Sequence, residues 1–383
     1  MLAALLLVMD LTGSVETSAR TEARLRASEP EATSGVELEV TPALRLTIGS
    51  RRTSFRAEYS PRVTLVDSSA PDGRPFVLHE LAARVEWLTR HGALWLEDRE
   101  ARGTVNFASM PLVTADGEVA PRVEASPAPR ALSIVSSTTT LGARWNGRRG
   151  GLLASAGFAR SGGVGDDARE VMPYASGPFS ALQLTYTLSP RDRLATTIAA
   201  SATELSSGPE SRLLGVEEGL SHRWSRSTEV SGGLGLTAAR TAPSAQAPVD
   251  WRLFPTAELG VRRSLPTLGR ESHLALALRL APAVNRLLGS VDQRVELSLG
   301  LTHTHGSLET RGFVSASASV PSDSPTATDL LAAELAESWN VAEAVTLGAG
   351  VRLSRQRLAL TGVPLLQGVG FFSVTLRAPQ ARF

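Results

Sequence analysis

From about residue 13 to about residue 378 the chain alternates apolar and polar side chains with a period of two, in one segment after another. In 36–48, Val36, Leu38, Val40, Leu44, Leu46 and Ile48 share one face, with Glu37, Glu39, Thr41, Arg45 and Thr47 on the other. The next segment sets Phe55, Ala57, Tyr59, Val63 and Leu65 against Arg56, Glu58, Ser60, Arg62 and Thr64. The same pattern returns at Leu274–Leu280, Val295–Leu301, Val345–Leu353 and Phe372–Leu376. Successive side chains of a strand point to opposite faces, so each segment is a strand with one apolar and one polar side.

The segments run to roughly 10–15 residues, longer than the usual five or six of soluble strands and long enough for a tilted strand to cross a bilayer. Their connections alternate in length. Short turns fall at Ser50–Thr53, Arg90–Gly92, Asn146–Gly150, Ser189–Arg191, Ser225–Thr228, Gly306–Ser307 and Asn340–Glu343, with a looser one at Pro266–Arg270. Between them come longer links at 67–75, 107–130, 162–178, 240–250, 281–291, 321–329 and 355–368. Short connections on one side and long ones on the other predict a closed antiparallel transmembrane β-barrel with periplasmic turns and extracellular loops. Trp87, Trp95, Trp145, Trp224 and Trp339 sit near short turns, and only Trp251 lies near a long link. Tryptophan favours the membrane–water boundary, so the five read as one interfacial girdle.

Parity of ascending and descending strands requires one more strand before residue 36. Segment 13–26 supplies it, with Val15, Thr17, Ala19, Thr21, Ala23 and Leu25 on one face. The count is then roughly 18 strands, with 16 as the alternative if 13–26 is not a strand. Residues 78–102 also admit a helical reading through Leu81, Val85 and Leu88, but the strand reading fits the ladder better. The barrel is expected over 13–378. Residues 1–12, apolar from Leu2 to Met9 but with no Lys or Arg ahead, read as a truncated export signal. The tail 379–383 is expected beyond the wall, because Pro379 interrupts the last strand.

Composition narrows the chemistry. The net charge of +1, from 39 basic and 38 acidic residues, gives no reason to expect nucleic acid. With no cysteine there are no disulfides, thiol nucleophiles or thiolate metal sites. His303 and His305 share a strand face at metal-binding spacing, yet they follow Leu299 and Leu301 beside a turn with no carboxylate on that face; interfacial polar residues are the better account. Neither a G-x-S-x-G elbow nor H-E-x-x-H occurs, so no enzyme, cofactor or metal is expected. If the apolar faces meet lipid, the polar faces line the lumen. Candidate pore-lining residues are Arg45, Arg56, Glu58, Arg62, Arg84, Glu86, Arg262, Arg279, Glu296, Arg352 and Arg377. A dry core would charge several kcal/mol for each unpaired one, a cost that a hydrated lumen removes.

The ladder resembles the outer-membrane barrels of Gram-negative bacteria over almost the whole chain, and the terminal Phe383 is similar to the C-terminal aromatic read by the barrel-assembly machinery. Gly35–Asp67 and the strand count also resemble the barrels that act with periplasmic polysaccharide-export proteins. That resemblance implies an exit pore for a polysaccharide, with outer-membrane lipid, the assembly machinery and a periplasmic export protein as partners. The alternatives are a general diffusion porin, with 107–130 as its constriction loop, and a structural or adhesive barrel.

Overall fold

The computed structural model describes residues 12–29, 33–66, 75–106, 131–206, 208, 210–242, 250–265, 272–284, 291–320, 329–357, 364–378 and 381–382. In chain order its strands are β1 (Thr12–Glu29), β2 (Thr33–Gly49), β3 (Thr53–Tyr59), β4 (Arg62–Val66), β5 (Phe76–Leu88), β6 (Gly92–Asn106) and β7 (Ala131–Asn146). There follow β8 (Gly150–Gly163), a helix α1 (Asp166–Val171), β9 (Ala175–Thr187), β10 (Asp192–Leu205), β11 (Glu210–Arg223), β12 (Thr228–Ala242) and β13 (Asp250–Ser264). The chain ends with β14 (His273–Val284), β15 (Val291–His305), β16 (Leu308–Val320), β17 (Asp329–Ala342), β18 (Val345–Arg357), β19 (Pro364–Arg377) and β20 (Ala381–Arg382).

Each strand pairs antiparallel with its chain neighbour, and β1 pairs with β19 from Ser18↔Arg377 to Glu29↔Leu366, which closes the sheet. The wall has 18 strands. β3 and β4 are one wall strand divided at Ser60–Pro61, both pairing with β2 and β5, because proline has no N–H for the ladder. The segment 13–26 is the core of β1, which at 18 residues is the longest strand. Residues 78–102 form β5 and β6 with a turn between, so the helical reading fails there. The tail does not lie beyond the wall as expected: Ala381 and Arg382 of β20 pair with Val15 and Ser14 of β1. The export signal at 1–12 lies outside the described residues apart from Thr12. So do the loose turn 266–270, link 107–130, Pro379 and Phe383.

The short connections are tight hydrogen-bonded turns. The Ser50 N–H donates to Thr53 C=O at 2.7 Å, Thr89 N–H to Gly92 C=O at 2.8 Å, and Gly147 N–H to Gly150 C=O at 2.7 Å. Each turn locks the register of its hairpin, and register decides which residues share a face.

Burial separates the two faces of the wall. Side chains converge on the concave side of a closed sheet and splay apart on the convex side. Glu37 (2% exposed), Ser211 (1%), Ala239 (2%), Ser319 (3%) and Leu330 (4%) mark the concave face. Leu234 (73%), Leu253 (71%) and Leu335 (57%) stand on the other. A soluble protein does not expose a continuous apolar band of this kind, and a lipid-facing wall requires one.

Candidate functional site: the barrel lumen

Cross-strand partners point to the same face of a sheet, so the register assigns every described wall residue to lumen or exterior. Leu44↔Tyr59, Tyr59↔Leu81, Leu96↔Leu141 and Leu259↔Leu278 carry the outer face around the barrel. The alternate positions face the lumen, and all eleven candidate lining residues fall on them. Arg56 pairs across to Arg84. Arg279 lies between Glu258 and Glu296, Arg262 lies opposite Glu229, and Arg377 is opposite Ser18.

Many of the lumenal charges are held in pairs. Arg45 reaches Glu58 at 2.8 Å and Glu16 at 3.4 Å. Arg24 bonds Glu22 at 2.6 Å and Glu39 at 2.9 Å, and Arg62 reaches Glu80 at 3.1 Å. Arg84 reaches Glu86 at 3.5 Å and Glu97 at 3.1 Å, and Arg352 reaches Glu334 at 2.6 Å. The buried members of this network, Glu22, Glu37 and Glu39, and the half-buried Arg24 are not among the candidates. Their position in the alternation with Ala23, Leu25, Val36, Leu38 and Val40 was the signal that could have found them.

Trp95 corrects the girdle. It was grouped with the others for lying near a turn, but Leu94 and Leu96 beside it take the outer face and leave it in the lumen. There its indole lies against Gly142, its partner on β7, where a side chain would overlap the ring. The Arg84 guanidinium sits 5.2 Å from the ring centroid, a cation–π contact. Trp87, Trp145 and Trp339 occupy the outer face at the short-turn end. Trp224 stands edge-on to His222, also on that face. All four are at least half exposed in the isolated chain, as interfacial aromatics are. His303 and His305 stack at 6.4 Å on the outer face beside the same belt, and Ser272 Oγ lies 2.8 Å from His303 Nδ1.

The lumen is narrowed from the long-link side. After β8 the chain turns inward through Gly165, whose φ of 94° favours glycine, into α1. Ala168 and Met172 pack on an apolar seat formed by Leu78, Ala101, Val105, Leu132 and Ile134, all on the lumenal face of β5, β6 and β7. The Val164 N–H donates to Ser133 C=O at 2.8 Å, and Gly163 N–H to Met172 C=O at 2.8 Å. At the far end Ser206 N–H donates to Tyr174 C=O at 2.7 Å. The expected constriction loop at 107–130 lies outside the described residues; among the described residues it is 164–174 that folds inward.

A closed 18-stranded wall, an apolar exterior with an aromatic belt and a polar, partly occluded lumen define a bacterial outer-membrane β-barrel of the transport type. Solved barrels share the architecture. The chain is 13% identical to OccK2 (OpdF) of Pseudomonas aeruginosa, solved with glucuronate, covering 96% of this chain and 98% of that one at a TM-score of 0.52. To OpdO of the same organism it is 12% identical, with 96% and 98% covered at 0.51. To the FrpB iron transporter of Neisseria meningitidis it is 9% identical, with 90% of this chain covered but 62% of that one, at 0.53. The chain therefore spans less than two thirds of FrpB. No curated protein sequence matches it. The model of the EpsX exopolysaccharide export family matches residues 5–360, and the chain belongs to that family.

Proposed function

We propose that this barrel is the outer-membrane exit through which a polysaccharide chain leaves the cell, working with a periplasmic export protein. The observation that carries it is the lumen: an 18-stranded wall of this family with a largely polar inner face, narrowed by α1 on the long-link side. Barrels of 16–18 strands leave an aqueous channel once lumenal side chains are in place, which is room for an extended hydrated chain. A pore of that width left open would leak small solutes, and α1 supplies an obstruction. The barrel-assembly machinery and the outer-membrane lipid are the further partners of this reading.

The test is a planar-bilayer recording of the purified protein beside an export assay in a strain lacking it. The expected result is a barrel that shifts mobility on heating, conducts little by itself, and restores surface polysaccharide when re-expressed. A steady nanosiemens-scale opening, with no loss of polysaccharide on deletion, would favour a general diffusion porin instead. α1 suits that second reading too, since a solute pore also needs a narrowed waist.

A further inference from the structure

Charge is not spread evenly around the lumen. On β1–β6 arginine and glutamate recur at the lumenal positions, many of them in the pairs described above, and on β13–β19 they recur more sparsely, with Arg352 paired to Glu334. On β7–β12 the register places Thr138, Ser155, Phe179, Thr197, Gly215 and Thr237 toward the lumen. Among the described residues of this six-strand arc, the ionisable groups that face the lumen are Arg144, Arg193, Arg223 and Glu229 near the short turns and Glu217 at mid-height, opposite Thr197. At the opposite mouth α1 carries Asp166, Asp167 and Arg169, while Arg160, Glu204, Glu210, Arg212 and Arg240 of the strands fall on the outer face. The arc is thus neutral over its half toward the long links, while many charges of the other arcs are neutralised locally.

Resting on the export reading, we propose that the conducted polysaccharide is a neutral glycan and that its path is the β7–β12 arc. A polyanion would need a rail of free cations along its whole path, but Arg352, Arg45, Arg24 and Arg84 are tied to Glu334, Glu58, Glu39 and Glu97 at 2.6–3.1 Å, and the arc's own arginines, Arg144, Arg193 and Arg223, stand only at its short-turn end. Balanced pairs project little net field into the channel. Conduction also requires contacts weak and numerous enough to be exchanged as the chain moves. Hydroxyls of Thr138, Ser155, Thr197 and Thr237 trade hydrogen bonds with sugar hydroxyls without a charged trap. Phe179 adds an apolar surface for the C–H face of a sugar ring. Its ring lies against Gly157, its cross-strand partner, where any side chain would collide with it.

The probes are dextran, a neutral glucan, and polygalacturonate, an acidic one of matched length. Each is cast into a native gel through which the folded full-length barrel migrates, and each is added to a planar bilayer holding the barrel. Dextran is expected to retard the folded band at least tenfold more strongly per unit concentration than polygalacturonate. S155R with S201R, whose cross-strand neighbours Gly142, Ala181, Phe179 and Leu213 carry no carboxylate, places cations in the arc and should reverse that order, and heat-modifiable mobility checks that this variant folds. Equal or stronger retention of the acidic chain by the wild-type barrel would overturn the neutral path and leave export standing. Retention of neither glycan by a barrel that passes ions would instead overturn the export reading itself.

Discussion

At the scale of single residues, the lumenal arginines differ in what their loss should cost. The Arg24 side chain is 23% exposed, and the Glu22 and Glu39 side chains it neutralises are 10% and 11% exposed. Arg24→Ala removes the cation shared by two nearly buried carboxylates and leaves Glu22 with Arg20 and Glu39 with Arg62 at 3.8 Å, so the loss should approach but not exceed the about 3–5 kcal/mol of breaking a buried pair. The Arg45 side chain is 52% exposed, and exposed pairs are worth about 0–1 kcal/mol. The temperature at which the folded band converts to the unfolded one should therefore fall markedly for Arg24→Ala and hardly for Arg45→Ala. Equal losses would mean that the lumenal network screens both alike. Trp95 and Gly142 make a second residue-scale pair. Gly142→Val drives a branched side chain into the indole, so it should lower the conversion temperature, and Trp95→Ala in the same chain should recover part of the loss.

At the scale of elements, α1 is held by few contacts. Its six residues touch the wall through Ala168, with Met172 just beyond the helix, and the seat beneath them is an apolar patch in an otherwise polar lumen. Removing 165–172 should raise single-channel conductance severalfold while the barrel stays heat-modifiable, because the wall pairs from β8 to β9 close without the helix. Leu132→Asp should act in the same direction, since a carboxylate under Ala168 disfavours docking by about 1–3 kcal/mol. Unchanged conductance in both variants would show that α1 does not obstruct the path. The strands themselves were legible: alternation in 36–48 and 55–65 gives the faces of β2, β3 and β4 that the register confirms. α1 was not, because six residues of Asp-Asp-Ala-Arg-Glu-Val carry no periodicity, and their docking depends on a seat assembled from three other strands.

At the scale of the whole molecule, the ion pairs and the neutral arc together make the lumen nearly balanced in charge. Reversing Arg45 and Arg56 to glutamate places four acidic side chains at neighbouring lumenal positions, counting Glu58 and Glu16. The reversal potential in a salt gradient should move toward cation selectivity. An unmoved potential would mean that ions do not pass this side of the lumen. Such a shift shrinks with added salt as the Debye length falls from about 10 Å at 0.1 M.

The sequence by itself determined that this chain is a ladder of long two-faced strands, which residues of most strands are apolar on one side, and that short and long connections alternate. Those are local properties, written by a period of two and by turn residues. Even the lumenal place of Trp95 was present there, between Leu94 and Leu96, although its nearness to a turn pointed elsewhere. Tertiary structure alone decided which strand follows which around the wall, that β1 meets β19, and that α1 folds inward. It also decided that charge gathers on some arcs and is sparse on another. The physical reason is that faces are fixed by neighbours in sequence, whereas closure and the meeting of side chains across the lumen are fixed by register between strands far apart in the chain.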